Sequence, residues 1–364
     1  MSRINAFLKL GREQGCSDIH LSVGLPPLIR MHGELSPIKY RNLTGDELES
    51  LVNEILDEEQ RALFNQGHDV DFSYEHEEVG RFRVNLYRKI SGIGAAFRII
   101  APRIPTFQEL GLPAILTKFL LHNQGLVLVT GATGTGKSTT LATMIDWLNH
   151  NRRLNIITLE DPIEYVHKSD KALVIQRNVG SHVDTFANGL RAALREDPDV
   201  ILVGELRDPE TISMAMTAAE TGHLVLGTLH TTSAVKTIDR IIDAMPTEQK
   251  SLTASFLAQH LLGVVSQKLL RSADGRNRKA ILEIMFNTSG MANLILNRKV
   301  FQIPSILQTG REQGMQLMDQ ALLEAVKNKE IDPDDAYVHA TDKKLFQRYV
   351  TDPDLLPQVN LAIS

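Results

Sequence analysis

Two kinds of hydrophobic pattern divide the chain, and the first is an alternation of apolar and polar residues before residue 100. The alternating segments are residues 18–23, 81–87 and 95–99. A period of two predicts half-buried strands, because successive side chains of a strand point to opposite faces. A helix is also predicted, since apolar residues recur with helical spacing from Leu48 to Leu56, behind Thr44 and Glu47 in capping-box spacing. We therefore predict a small mixed domain over residues 1–100.

The second pattern begins near residue 114, where short, almost continuous apolar runs alternate with helical spacings. The runs are residues 126–129, 155–159, 200–203 and 224–229, with 281–286 as a further candidate, and beyond 287 the pattern is helical. Apolar strands separated by helices are typical of an α/β fold, in which helices cover both faces of a mostly parallel sheet. Pro102, Pro105 and Pro113 lie between the two patterns, so residues 101–113 are predicted to form a linker and candidate hinge before a second domain, 114–364.

Composition narrows the class of protein. The 364 residues carry a net charge of -5 without a run of like charges, which argues against a dedicated nucleic-acid binder. Cys16 is the single cysteine, so neither an internal disulfide nor a multi-cysteine zinc site can form. No segment approaches 18 consecutive apolar residues. We predict a cytoplasmic protein with no direct membrane insertion, which would reach a membrane machine only through a protein partner.

A glycine-rich loop between the apolar run 126–129 and a helical pattern carries the strongest chemical signal. Its residues are Gly131, Ala132, Thr133, Gly134, Thr135, Gly136, Lys137 and Ser138, with Thr139 beginning the helical pattern. The glycines allow a tight turn that aims backbone N–H groups at phosphate, and the following helix adds the positive end of its dipole. Lys137 is expected to reach the outer phosphates of ATP, and Ser138 to hold Mg²⁺. The loop predicts a nucleotide triphosphatase.

Carboxylates follow two of the other apolar runs. Glu205 ends the run 200–203 in the place where a phosphate-loop enzyme needs an oxygen ligand for magnesium. The run 155–159 leads into Glu160 and Glu164, either of which could polarise an attacking water. Glu164 is our first choice for this base and Glu160 the alternative, while a charged loop without a catalytic role remains the plain interpretation.

Histidines and arginines supply the remaining candidates. His223 and His230 bracket the run 224–229, and His230, at the end where a parallel sheet binds its ligands, could sense the γ-phosphate. His223 could equally be a structural histidine. Arg81, Arg83 and Arg98 alternate with apolar residues in the first domain. They either form a solvated sheet face or reach the phosphates of a neighbouring subunit.

In this order, the motifs resemble those of the type IV pilus retraction ATPases, a twitching-motility group within the secretion ATPase superfamily. The matching segments are residues 15–21, 131–138, 160–165, 203–208 and 220–230. The resemblance implies a PAS-like N-terminal domain, a RecA-like ATPase domain and a homohexameric ring in which arginines complete a neighbour's site. Arg83 and Arg98 match those arginines by position, with Arg81 beside them.

Two comparisons within the superfamily refine this expectation. Extension and secretion ATPases usually carry a four-cysteine metal insertion, which a chain with one cysteine cannot have. Retraction enzymes carry an Ala-Ile-Arg motif where this chain has Gly290, Met291 and Ala292. At that position, and in residues 312–316, the chain is similar to the accessory retraction ATPases.

The sequence therefore predicts a Mg-ATP-hydrolysing hexameric motor that powers type IV pilus retraction, as principal or accessory ATPase. It would act at an inner-membrane pilus platform protein and could work beside a paralogous retraction ATPase. The alternatives are a pilus extension or type II secretion ATPase, a nucleotide-binding regulatory ring subunit with little turnover, and a nucleic-acid motor.

Overall fold

The computed structural model describes residues 2–31, 34–100, 103–275 and 277–356. It divides into two compact units, Met1–Arg103 and Ile104–Ser364. Residues 104–113 belong to the second unit, where Leu112 is buried and the carbonyl of Pro105 accepts a 2.8 Å hydrogen bond from the Thr143 hydroxyl. The unit boundary, between residues 103 and 104, thus falls within the predicted linker and close to its start. Residues 101 and 102 lie outside the described residues, and the hinge stays a prediction.

The first unit is a six-stranded antiparallel sheet packed against three helices. The strands are β1 (Asp18–Ser22), β2 (Leu28–Met31), β3 (Glu34–Pro37), β4 (Val70–His76), β5 (Gly80–Lys89) and β6 (Gly92–Ile99), in the order β3-β2-β1-β6-β5-β4. The helices are α1 (Arg3–Glu13), α2 (Gly45–Asn53) and α3 (Glu58–Asn65). Phe82, Val84 and Leu86 of β5 enter the core, as their alternation predicts, and leave the arginines on the opposite face.

The helix predicted behind Thr44 forms, but it is shorter than the apolar pattern suggested. The Thr44 hydroxyl accepts a hydrogen bond from the Glu47 backbone N–H, while the Glu47 side chain pairs with Arg41 at 2.7 Å instead of closing a capping box. The helix ends at Asn53. Leu56 therefore lies beyond the helix, although it is still buried in the same core.

The second unit contains a seven-stranded sheet. Its strands are β7 (Gly125–Thr130), β8 (Asn155–Glu160), β9 (Leu173–Asn178), β10 (Val200–Val203), β11 (Leu224–Leu229), β12 (Leu261–Arg271) and β13 (Arg278–Phe286). Its helices are α4 (Thr117–Leu120), α5 (Lys137–Asn151), α6 (Phe186–Ala193), α7 (Pro209–Glu220), α8 (Ala234–Ala244), α9 (Lys250–His260), α10 (Ser289–Leu296), α11 (Ile303–Thr309), α12 (Met318–Lys327) and α13 (Pro333–His339).

The strand order is β13-β12-β7-β11-β10-β8-β9, and every pair is parallel except β12 with β13. The predicted mostly parallel sheet is confirmed, and β9 and β12 are additions that the sequence patterns did not indicate. The register aligns Thr130 with Leu229, and Val203 with Leu159. The residues that follow β7, β8, β10 and β11 therefore meet at the carboxyl edge of the sheet.

Helices cover both faces of this sheet because neighbouring residues of β7 enter different cores. Leu126 and Leu128 pack in the core that includes α7, α8 and α9. Val127 and Val129 pack in the core that includes α5. A further core joins α12 and α13 to the β12–β13 hairpin. None of the helices in the described part of the chain is long and apolar enough to cross a lipid bilayer.

Candidate functional site at the carboxyl edge of the parallel sheet

The glycine-rich loop connects the end of β7 to the first residue of α5, as predicted. Gly131, Gly134 and Gly136 have φ angles of 149°, 80° and 86°, a region that side-chain-bearing residues rarely adopt. Space is also restricted at Gly131, where an added Cβ would lie 2.4 Å from the carbonyl oxygen of Gln267. Glycine at these positions therefore keeps the loop in its tight turn at the N-terminus of α5.

Lys137 lies over this loop with only 9% of its surface exposed. Its Nζ donates hydrogen bonds to the carbonyl oxygens of Gly131 at 2.9 Å and Ala132 at 3.1 Å. Burial lowers the pKa of Lys137, while the negative charges of Glu205 and Glu164 act in the opposite direction. The ammonium group is thus held within the loop and faces the carboxylates of the same edge.

Three hydroxyl side chains near the junction of the loop and α5 have different surroundings. Thr135 donates to the Ala132 carbonyl at 2.8 Å, and Thr139 is 3.0 Å from the phenol oxygen of Tyr165. Ser138 lines the cleft that the acidic residues share. Ser138 is thus the loop hydroxyl placed on the acidic side, where its predicted role as a magnesium ligand requires it.

Glu205, directly after Gly204 at the end of β10, contacts two basic side chains. Its Oε2 is 2.6 Å from Arg207 Nη2, and its Oε1 is 3.2 Å from His230 Nε2. Burial alone would raise the pKa of Glu205, but the hydrogen bonds and charges of Arg207 and His230 outweigh it and lower the pKa. Glu205 is therefore held as a carboxylate, the form that binds magnesium.

His230 connects Glu205 to the phosphate loop. Its Nδ1 is 3.4 Å from the Thr133 hydroxyl, while its Nε2 faces Glu205. His223, at the other end of β11, lies with Nδ1 2.9 Å from the Ala218 carbonyl oxygen. The two histidines that bracket one strand thus have different surroundings, and only His230 lies among the predicted site residues.

The two candidate bases line the same cleft as Ser138 and Glu205. Glu160 accepts two hydrogen bonds at Oε1, from the Thr158 hydroxyl at 2.7 Å and from Gln176 Nε2 at 3.1 Å. Burial raises the pKa of Glu160, while these two hydrogen bonds act in the opposite direction. Glu160 is therefore fixed by its neighbours, and Glu164 follows on the loop beside it.

The candidate arginines all lie on the outer face of the first unit's sheet. Arg83 and Arg98 are cross-strand neighbours on β5 and β6. Arg83 pairs with Asp71 at 2.7 Å, and Arg98 pairs with Asp18 at 3.0 Å. Arg81 projects from the same side of β5, two residues before Arg83. Each of the two predicted arginines thus has an acidic partner within its own unit.

Three functional neighbours were not among the predicted site residues. Arg207 pairs with Glu205, Gln176 orients Glu160, and Gln267 lies beneath the phosphate loop. Arg207 follows Glu205 by two residues, so its charge and position could have indicated the pair. Gln176 and Gln267 lie on β9 and β12, where the sequence patterns did not indicate strands.

The donor atoms at this edge fit a magnesium ion bound together with phosphate. Within the described residues, no three side chains of His, Cys, Asp or Glu form a metal site of their own. The cleft nevertheless combines the Ser138 hydroxyl with the carboxylates of Glu205 and Glu164, and oxygen donors of this kind suit a hard cation. Magnesium typically takes only one or two protein ligands and completes its shell with phosphate and water.

Comparisons with known proteins agree with this geometry. The family model described as "Type II/IV secretion system protein" matches residues 66–352. The type IV pilus retraction ATPase PilT of Pseudomonas aeruginosa is 49% identical over 88% of this chain and 92% of its own length. The type IV pilus ATPase PilU of the same organism is 39% identical over 92% of this chain and 87% of its own.

A solved structure matches the fold over almost the whole chain. It is the crystal structure of the pilus retraction motor PilT with bound ADP, with a TM-score of 0.86 and 41% sequence identity. The match covers 98% of this chain and 99% of the solved one. Both units described above are therefore included in the similarity.

Proposed function

Because the chain belongs to the type II/IV secretion system protein family, we propose that it is a Mg-ATP-dependent ring motor that powers the retraction of type IV pili. One observation carries the ATPase part of this proposal. The phosphate loop, Glu205, His230 and the two candidate bases converge at one edge of the sheet, although they come from four separate strands. The retraction part is supported by the relatives, since two of the similar proteins are named for the pilus motor.

Phosphate binding would use groups that already lie at the edge. The loop's backbone N–H groups and the N-terminus of α5 would receive the phosphate oxygens. Lys137 would exchange the carbonyls of Gly131 and Ala132 for those oxygens, since its ammonium already lies within the loop. Ser138 and Glu205 would hold Mg²⁺, which neutralises charge on the outer phosphates when it is bound.

Hydrolysis would require a water positioned opposite the leaving oxygen. Glu164 is our proposed base, and Glu160, held by Thr158 and Gln176, is proposed to shape the loop around it. His230 contacts both Thr133 and Glu205, so a movement of His230 toward or away from the γ-phosphate would change its contacts with the loop and with the magnesium ligand together. This arrangement supports a sensing role for His230.

We further propose that the ring is a homohexamer and that Arg83 and Arg98 act on a neighbour's phosphates. Both lie on one sheet face as cross-strand neighbours, so they would approach a partner together. Asp71 and Asp18 would release them when phosphate offers a stronger partner. Such a ring would work at the inner-membrane pilus platform, and a paralogous ATPase could share the pilus.

Mixing two inactive variants tests the shared site. Arg83→Ala and Glu205→Gln should each be inactive alone, whereas a mixture should recover activity because one chain supplies the arginine and the other the carboxylate. Random assembly of equal amounts would restore about one subunit contact in four. Subunit exchange is checked with differently tagged chains. Exchanged rings that remain inactive would place Arg83 outside the site.

The retraction proposal is tested by counting surface pili in a strain lacking this chain. The strain is complemented with either the intact protein or Lys137→Ala. Excess pili that only the intact protein corrects would support a principal retraction motor, and normal numbers with impaired twitching would support an accessory one. Bald cells would contradict retraction and favour extension.

A further inference from the structure

The middle of strand β12 lies directly beneath the phosphate loop. It pairs with β7 in parallel, with Ser266 opposite Thr130, and the two hydroxyl oxygens are 2.8 Å apart in a buried environment. The next residue of each strand is therefore Gln267 on one side and Gly131 on the other. This places the backbone of Gln267 against the first glycine of the loop.

The side chain of Gln267 bridges the loop and the helix that follows it. Gln267 is only 4% exposed, and both ends of its amide are used. Its Nε2 donates to the Thr135 carbonyl oxygen at 2.6 Å, and its Oε1 accepts from the Thr140 hydroxyl at 2.8 Å. Thr135 belongs to the loop and Thr140 to the first turn of α5, so one buried side chain connects both.

Close packing makes this bridge part of the loop's shape. An added Cβ at Gly131 would lie 2.4 Å from the Gln267 carbonyl oxygen, and one at Gly136 would lie 3.0 Å from Gln267 Nε2. Gly131 thus approaches the Gln267 backbone more closely than a residue with a Cβ could, and a Cβ at Gly136 would require the Gln267 side chain to shift. Gln267 therefore packs against the loop at both its first glycine and its last.

The bridge also fixes the direction of a phosphate-binding amide. The carbonyl of Thr135 and the N–H of Gly136 belong to one planar trans peptide, so they point in opposite directions. Because Gln267 holds the carbonyl on the β12 side, the Gly136 N–H must point away from β12, into the turn. In a phosphate loop, the amides that point into the turn bind the nucleotide.

We propose that Gln267 is a positioning residue that sets the nucleotide affinity of the phosphate loop through the Thr135–Gly136 peptide. Gln267 would not contact phosphate itself and would act only through the backbone of the loop. The proposal concerns nucleotide binding in the ATPase unit, so it does not depend on the role of the chain in pilus retraction.

Gln267→Met tests the proposal, because methionine keeps the length of the side chain and removes both hydrogen bonds. The dissociation constant of Mg-ADP, measured by titration calorimetry on the full chain, should rise about tenfold. The KM for ATP should rise by a similar factor with little change in kcat, since the loop binds phosphate before and during the reaction. Thr140→Val, which removes one of the two bonds, should raise the dissociation constant about threefold.

The control is Asn287→Leu. Asn287 is also a side-chain amide bonded to backbone carbonyls, at 2.8 Å from Leu261 O and 3.0 Å from Ala258 O, but it directly follows β13, beside the start of β12. The Asn287→Leu substitution should lower the unfolding midpoint without changing the affinity for Mg-ADP. The proposal is overturned if Gln267→Met binds Mg-ADP within twofold of the parental value. It is also overturned if Asn287→Leu weakens Mg-ADP binding as much as Gln267→Met does. If Gln267→Met does not fold, the test is Thr140→Val, and an unchanged affinity for Mg-ADP in that variant overturns the proposal.

Discussion

The two edges of the seven-stranded sheet use polar side chains in different ways. At the amino edge, polar side chains bond to backbone carbonyls: Asn155 Nδ2 donates to Glu196 O at 2.7 Å, and His223 and Asn287 have similar carbonyl partners. At the carboxyl edge, acidic and basic side chains face one another, as Glu205 does with Arg207 and His230.

This difference separates a structural edge from a functional one. The amino-edge bonds join side chains to backbone carbonyls that are fixed in place, so they serve stability. Charged side chains can exchange one partner for another, so phosphate and magnesium can replace the contacts at the carboxyl edge. The pKa directions agree, since three groups of this edge are displaced: burial lowers the pKa of Lys137 and raises that of Glu160, and the partners of Glu205 lower its pKa against burial.

The largest effect is expected from Lys137→Ala. Magnesium-dependent phosphate release should fall by about 10²–10³-fold or more, because the loop loses the cation that would neutralise the outer phosphates. The unfolding midpoint without nucleotide should change little in comparison. A variant that keeps the parental rate would show that the phosphate loop is not the hydrolytic site.

Substitution of the two candidate bases in the cleft, Glu164 and Glu160, should lower kcat by different amounts. Glu164→Gln should lower kcat by about 10²–10⁴-fold, the usual contribution of a general base. Glu160→Gln should lower kcat less, because glutamine can still accept the hydrogen bonds that Thr158 and Gln176 donate to Oε1. Single-turnover hydrolysis measures both, and a greater loss in Glu160→Gln would reverse the two roles.

The two histidines of β11 give the most direct comparison between the edges. His230→Ala should lower kcat about tenfold or more, because it removes the contact between the loop and Glu205. His223→Ala should instead lower the unfolding midpoint and leave kcat within about twofold, since its partner is the Ala218 carbonyl. Equal losses of kcat in the two variants would remove the distinction.

The last comparison concerns the pH dependence of stability and His167, which also lines the cleft. Burial, with a smaller effect from His150, lowers the pKa of His167 to about 4. The unfolded chain therefore binds the proton more readily, and stability contributed by neutral His167 is present above pH 6.5 and lost as the pH falls toward 4. The loss reaches up to about 3 kcal/mol in the free energy of unfolding. Urea unfolding across this pH range should show that the free energy of unfolding falls less steeply with decreasing pH in His167→Asn than in the parental chain. Parallel pH profiles of the two proteins would contradict the role given to His167.

Much of the carboxyl edge could be predicted from sequence because its parts are local. The glycine loop lies between a strand and a helix, and Glu205 directly follows an apolar strand, so spacing alone places them. His230 could be favoured over His223 because ligands of parallel sheets bind at the carboxyl ends of strands. Chain order thus predicted which histidine of β11 lies on the side of the phosphate loop.

Contacts between distant segments could not be predicted in this way. The strand β12 begins at Leu261, directly after α9 ends at His260, and no glycine or proline marks the change from helix to strand. Gln267 therefore could not be placed beneath the loop, and Gln176 on β9 was missed for a related reason. The early end of α2 at Asn53 likewise could not be predicted, because the apolar spacing continues to Leu56.

The most direct test of the account is an experimental structure of the full chain with Mg-ADP. We expect the β-phosphate to lie in the loop formed by residues 131–138, with Lys137 Nζ moved from the Gly131 and Ala132 carbonyls to phosphate oxygens, and with Glu205 in the magnesium shell. A nucleotide bound elsewhere, or in this loop with Lys137 still bonded to both carbonyls, would contradict it.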